Sequence, residues 1–203
     1  LSLNLAIEAA QKGQSVTLID MDVVNPYFRS SEYGELLEKY GVRLIAPVYA
    51  NSTLDIPSLS PAIYSVLQDD GEGLVLIDAG GDDVGATALG QFAREIAGKP
   101  YEMLYVVNRY RPLSTEAEET VELLAEIESA SRLKATGVVN NSHLKQETDE
   151  QVILSAVPYG REAAEKLGLP LCFTTAPKGL TEALAGKVEN LHPVEVYVHS
   201  PWE

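Results

Sequence analysis

The sequence predicts an α/β fold: a three-layer, doubly wound and mostly parallel sheet with helices on both faces. Three observations carry that expectation. Runs such as Val16–Asp20 and Leu74–Asp78 are apolar, Thr17 apart, until their last residue, as in strands covered on both faces. They alternate with stretches of helical period, the pattern of right-handed βαβ crossovers. Several of the runs end in Asp or Asn, at the strand ends beyond which such sheets hold ligands.

In chain order, Leu1–Lys12 has a broad apolar face (Leu1, Leu5 and Ala9, with Leu3 and Ile7 beside it), and Gly13 suits its C-terminal cap. Val16–Asp20 is a strand, Ser31–Tyr40 a helix and Arg43–Ala46 a strand. Ser60–Gln68 is a helix with Pro61 in its first turn. Leu74–Asp78 is the next strand, followed by one helix over Val84–Ala97 and a strand over Met103–Asn108. Thr115-x-x-Glu118 has the form of a capping box opening a helix that runs to about Ser129 with a solvated, Glu-rich face. Ala135–Asn140 is a strand, and Thr148–Leu167 is helical with Pro158 and Gly160 expected to break it. Leu171–Thr175 is a strand and Leu180–Ala185 a short helix. Val194, Val196 and Val198 alternate as in an edge strand.

The 203 residues suffice for one sizeable core, and no repeat or linker divides them, so a single domain over 1–203 is expected. The formal net charge of −15, with scattered Lys and Arg, disfavours nucleic acid as a partner. No apolar run is long enough to span a bilayer, and Leu1–Ala10, with Asn4 and Glu8, does not read as a signal peptide. The lone Cys172 excludes an internal disulfide or a Cys-rich metal site, which fits a cytoplasmic location.

Three segments carry candidate chemistry. Asp20 and Asp22 leave a buried strand for a loop, where carboxylates hold Mg²⁺ through water, orient an attacking water, or simply cap a turn. Asp78 ends a second such strand and is followed by Gly80, Gly81, Asp82 and Asp83; the glycines let backbone amides approach a phosphate closely. Asn140 and Asn141 end a third, where an amide offers both donor and acceptor to a base edge or satisfies a loop as an Asx turn. His143 has no second histidine nearby and reads as a turn residue.

Ser2-Leu3-Asn4-Leu5-Ala6, with Lys12-Gly13-Gln14-Ser15-Val16-Thr17-Leu18-Ile19-Asp20-Met21-Asp22 after it, resembles the helix and strand that follow the phosphate loop in MinD/ParA-like P-loop ATPases, the wider CobQ/CobB group included. Leu76–Gly81 is similar to that family's switch II, Val138–Asn141 to its base-reading strand end, and Leu171–Pro177 to its last strand and adenine-side loop. The resemblance implies ATP and Mg²⁺ as cofactors. It implies Asp22 as the switch I carboxylate at water or Mg²⁺, supported by Asp20, and Asp78 as a Mg²⁺ holder through water. Gly80 and Gly81 would lie at the γ-phosphate, and Asn140 would read adenine ahead of Asn141.

Two departures shape the functional expectation. Asn25-Pro26-Tyr27-Phe28-Arg29 differs from the common MinD and ParA switch sequences. No Gly-x-x-x-x-Gly-Lys-Ser/Thr occurs in these residues, and the family's first, central strand is missing with it. The chain therefore reads as N-terminally truncated, or else as a member that has lost the phosphate site, and these 203 residues are expected to bind ATP weakly or not at all. The leading expectation is an ATP-binding switch or accessory ATPase acting on an unidentified protein partner, with a homodimer implied by resemblance. Paired cysteines, a C-terminal amphipathic membrane helix and a basic patch are missing, which marks down iron–sulfur carriers, MinD proper and DNA-binding ParA. One alternative is an ATP-dependent ligase or kinase of a small metabolite, like dethiobiotin or cobyric acid synthases, using Tyr27, Arg29, Arg109 or Arg111. Another is a non-enzymatic interaction module. The expected geometry is a single rim on which Asp20, Asp22, Asp78 and Asn140 meet.

Overall fold

Apolar runs and amphipathic stretches become parallel strands and crossover helices in the computed structural model, which describes residues 1–22, 30–46, 61–69, 71–112 and 115–198. Asn25, Pro26, Tyr27, Phe28 and Arg29 lie outside the described residues. The chain divides into two compact units: Leu1–Pro100, joined by the C-terminal residues from Tyr197, and Tyr101–Val196.

In the first unit, α1 (Ser2–Gln11) turns Leu3, Ala6, Ile7 and Ala9 inward. It ends where Gly13, at φ +85°, lets the Gln14 amide reach Ala9 O at 3.2 Å and the Gly13 amide reach Ala10 O at 2.9 Å. β1 (Val16–Asp20) then pairs in parallel with β2 (Val42–Ile45) on one side and β3 (Leu74–Asp78) on the other, giving the order β2-β1-β3. Between β1 and β2 a 3-10 turn (Ser30–Tyr33) leads into α2 (Gly34–Lys39), and α3 (Pro61–Gln68) precedes β3. Leu3, Ile7, Leu18, Leu37 and Val42 are the centre of the core, and Tyr197 and Val198 return to pack against it.

The expected single helix over 84–97 is two, α4 (Asp83–Gly90) and α5 (Ala93–Ala97). The amides of Gln91 and Phe92 bond three residues back, to Ala88 O and Leu89 O. That tightens the backbone and drops Phe92 fully into the core, where its ring meets Tyr64 at 4.7 Å between centroids.

In the second unit, β4 (Leu104–Val107), β5 (Gly137–Asn140), β6 (Leu171–Pro177) and β7 (Leu191–Val194) are parallel throughout, in that spatial order. α6 (Ala117–Ser131) begins one residue later than the sequence pattern suggests. The Glu119 carboxylate, not Glu118, turns back to accept from the amides of Thr115 and Glu116. A buried relay ties β4 and α6 to α7 (Glu150–Leu167). Tyr105 Oη donates to Thr120 O at 3.1 Å, and Thr120 Oγ1 meets Tyr159 Oη at 2.8 Å. α8 (Thr181–Leu184) follows a 3-10 turn and buries Leu184 beside Ile153. β7 stops at Val194, and Val196 is 52% exposed beyond it, so the alternation at 194–198 is only partly a strand.

α7 runs unbroken through Pro158 and Gly160. Proline removes the helical donor to Leu154 O, and side chains from elsewhere in this unit bond to other carbonyls of the same helix. Tyr110 Oη donates to Val152 O at 2.8 Å, Arg109 Nη1 to Ser155 O at 2.6 Å, and Asn140 Nδ2 to Ala156 O at 3.0 Å. Gly160 is what lets the helix come so close. A Cβ there would sit 2.8 Å from Asn140 Cβ.

Candidate functional site

Parallel pairing in register brings the first unit's acids together, because Asp20 and Asp78 are partners at the carboxyl ends of β1 and β3. The ladder continues one step as the Met21 amide donates to Asp78 O at 2.7 Å. Asp20 is fully buried, and its Oδ1 accepts from the Asp22 amide at 3.0 Å, so it shapes the turn that presents Asp22.

Asp78 gathers two hydroxyls. Ser2 Oγ, from the first turn of α1, donates to Asp78 Oδ1 at 2.9 Å, and the buried Ser30 Oγ, at the start of the 3-10 turn before α2, donates to Oδ2. Burial pushes the Asp78 carboxyl above its ordinary range. The Ser30 and Ser2 hydrogen bonds oppose that shift, and the neighbouring Asp20 adds to it.

Beyond β3 the chain turns tightly. Asp82 caps α4 by accepting from the Gly85 amide at 2.8 Å. A Cβ placed on Gly80 would lie 3.5 Å from Asp22 Oδ1 and 3.6 Å from Asp82 Oδ1, so both carboxylates border that glycine's backbone. Gly81 is exposed beside it. Asp20, Asp22, Asp78 and Gly80 thus meet at one end of this unit's sheet.

The donors there are carboxylate and hydroxyl oxygens, the hard set that suits Mg²⁺. Among the described residues no group of three or more His, Cys, Asp or Glu is placed to hold a metal ion directly.

Asn140 and Asn141 belong to the second unit. Asn140 is fully buried at the end of β5. Its Nδ2 goes to Ala156 O, and its Oδ1 accepts both the Ser142 amide at 3.3 Å and Ser142 Oγ at 2.6 Å. Both ends of that amide are spent on the protein. Asn141 is half-buried, its Oδ1 accepts from Thr175 Oγ1 at 2.6 Å, and no described residue accepts from its Nδ2. The geometry favours Asn141 over Asn140 as the amide able to meet a ligand, the reverse of the order the resemblance implies.

His143 accepts the Lys145 amide on Nδ1 at 3.2 Å, as a turn residue does. Arg109 Nη1 donates to Ser155 O, and its backbone amide donates to Ser142 Oγ. Ser2 and Ser30 were not singled out from the sequence for this site. Ser30 stands 48 positions from Asp78 and has no local signature, whereas Ser2 lies within the motif quoted for α1.

No family model matches the sequence, and no curated protein does. Solved structures do match. FtsY from Mycoplasma mycoides superposes with a TM-score of 0.56 at 17% identity over 86% of this chain and 54% of its own. Chloroplast FtsY from Physcomitrella patens gives 0.54 at 15% identity, over 85% and 53%. The signal recognition particle 54 kDa protein from Aeropyrum pernix K1, in complex with GDP, gives 0.55 at 14% identity, over 85% and 37%. The chain therefore spans about half the length of either FtsY and less of the third. At such identities the likeness shows the fold, an α/β architecture similar to these P-loop NTPase domains. Among the described residues no helix is long and apolar enough to cross a membrane.

Proposed function

We propose that the protein is a nucleotide-dependent switch of the MinD/ParA-like kind, which binds ATP with Mg²⁺ and acts on a protein partner. The observation that carries this reading is the convergence of Asp20, Asp22, Asp78 and Gly80 at the carboxyl end of a parallel sheet, with Ser2 and Ser30 on Asp78. The GDP in the Aeropyrum relative supports a purine nucleotide without choosing the base.

In this reading Asp78 and the two serines border the cation, and Asp22 orients water. Asp20 holds Asp22 in place through its amide, and Gly80 with Gly81 offers backbone that a phosphate can approach. Bound Mg²⁺·ATP would supply a γ-phosphoryl group open to in-line attack by water. The Gly-Lys-Ser/Thr loop does not occur in the 203 residues, so the reading requires phosphate-loop residues that this sequence does not contain.

The test is calorimetry with ATP and GTP, with and without Mg²⁺, on the protein expressed from its intact reading frame. The expected result is Mg²⁺-dependent triphosphate binding that Asp78→Asn weakens at least tenfold. Binding of neither nucleotide, or binding indifferent to both Mg²⁺ and Asp78, overturns the proposal.

A further inference from the structure

Gly85 is the third residue of α4. Its surroundings explain why a side chain is not accommodated. A Cβ on Gly85 would lie 2.5 Å from Gly80 Cα, 2.7 Å from Gly80 O and 2.8 Å from Gly80 C. The obstacle is backbone, which cannot swing aside as the tip of a side chain can. From the other side, a Cβ on Gly80 would lie 3.2 Å from Gly85 Cα. The first turn of α4 is therefore seated directly on the loop after β3. The Gly85 amide bonds to Asp82 Oδ1 at 2.8 Å and the Ala86 amide to Asp82 O at 2.9 Å, closing the same turn.

Gly80 also borders Asp22 Oδ1, so whatever displaces Gly80 alters its spacing from the carboxylate that leaves β1. We infer that Gly85 is a positioning residue: it sets how closely the Gly80–Gly81 backbone lies to Asp22, and through that spacing it governs preference for a nucleoside triphosphate over the diphosphate. The second half of this inference rests on the function proposed above. A side chain at 85 moves Gly80 by about 1 Å before the contact becomes ordinary, and displacements of that size at a reacting centre cost on the order of 100-fold.

The experiment compares the wild-type protein, expressed from its intact reading frame, with Gly85→Ala, with the milder Gly80→Ala, and with Val84→Ala as a control on an exposed residue of the same turn. Two readouts are taken: affinities for Mg²⁺ with a non-hydrolysable ATP analogue and with ADP, and ¹H–¹⁵N amide spectra without nucleotide. The expected result is that Gly85→Ala lowers the triphosphate-to-diphosphate preference at least tenfold while diphosphate affinity stays within about twofold. Gly80→Ala lowers it less, and Val84→Ala leaves it unchanged. In the spectra the amides of Gly80, Gly81 and Asp22 shift in Gly85→Ala, and those of β2 do not. An unchanged preference, or an unmoved Asp22 amide, overturns the inference. Should Gly85→Ala fail to fold, Gly80→Ala decides by the same criteria. If the wild type binds neither nucleotide, the proposed function falls, and the spectra alone judge the positioning claim: a shifted Asp22 amide upholds it and an unshifted one ends it.

Discussion

Asp78 holds its proton more tightly in the folded chain than in the unfolded one, because burial outweighs the two hydroxyls that favour the ionised form. The folded state gains stability from this group in acid and loses it as the pH rises through the raised value, above which the ionised carboxylate is a net cost. Asp78→Asn should therefore raise the thermal midpoint when no divalent cation is present and remove any stabilisation by Mg²⁺. A pair of melting curves with and without Mg²⁺ checks both; a lower midpoint in the variant contradicts the sign. The two asparagines separate in the same way. Asn140→Ala should cost about 1–3 kcal/mol in urea unfolding, since it leaves the Ala156 carbonyl and the Ser142 donors without their partner. Asn141→Ala loses the single side-chain bond to Thr175 and should cost less. All four converging residues, Asp20, Asp22, Asp78 and Gly80, were legible because an acid or glycine at or just past the end of an apolar strand is a local pattern. Ser30 and Gly85 were not, because each acquires its meaning from a partner reached through tertiary folding.

Among the elements, β1 and β3 follow the sequence pattern residue for residue, since a five-residue apolar run ending in an acid has few alternatives. α7 departs from it. Local propensity marks Pro158 and Gly160 as breaks, yet Tyr110, Arg109 and Asn140 bond to other carbonyls of the same helix and Gly160 admits the Asn140 side chain. Gly160→Ala is expected to destabilise the protein by about 1–3 kcal/mol through overpacking, even though alanine is the better helix former, and equilibrium unfolding measures it. The division of the 84–97 stretch has a similar cause, for the burial of Phe92 decides where the backbone tightens.

At the scale of the molecule, the fold class was legible in the alternation of parallel strands and helices, and the relatives agree with it. The subfamily was not, since fold-level likeness at 14–17% identity carries no substrate. A formal net charge of −15 implies self-repulsion that salt relieves. The thermal midpoint should rise between low salt and about 0.15 M, where the Debye length is about 8 Å, and a flat or falling midpoint would show that local ion pairs dominate instead. The central claim is that the carboxylate and hydroxyl oxygens around Asp78 serve a Mg²⁺-bound triphosphate. Its most direct measurement is ATP titration, in Mg²⁺ and in chelator, of the protein from its intact reading frame and of its Asp78→Asn variant. The account predicts saturable binding to the wild type that chelator and the substitution each weaken at least tenfold; equal binding by both proteins in both buffers, or none at all, contradicts it.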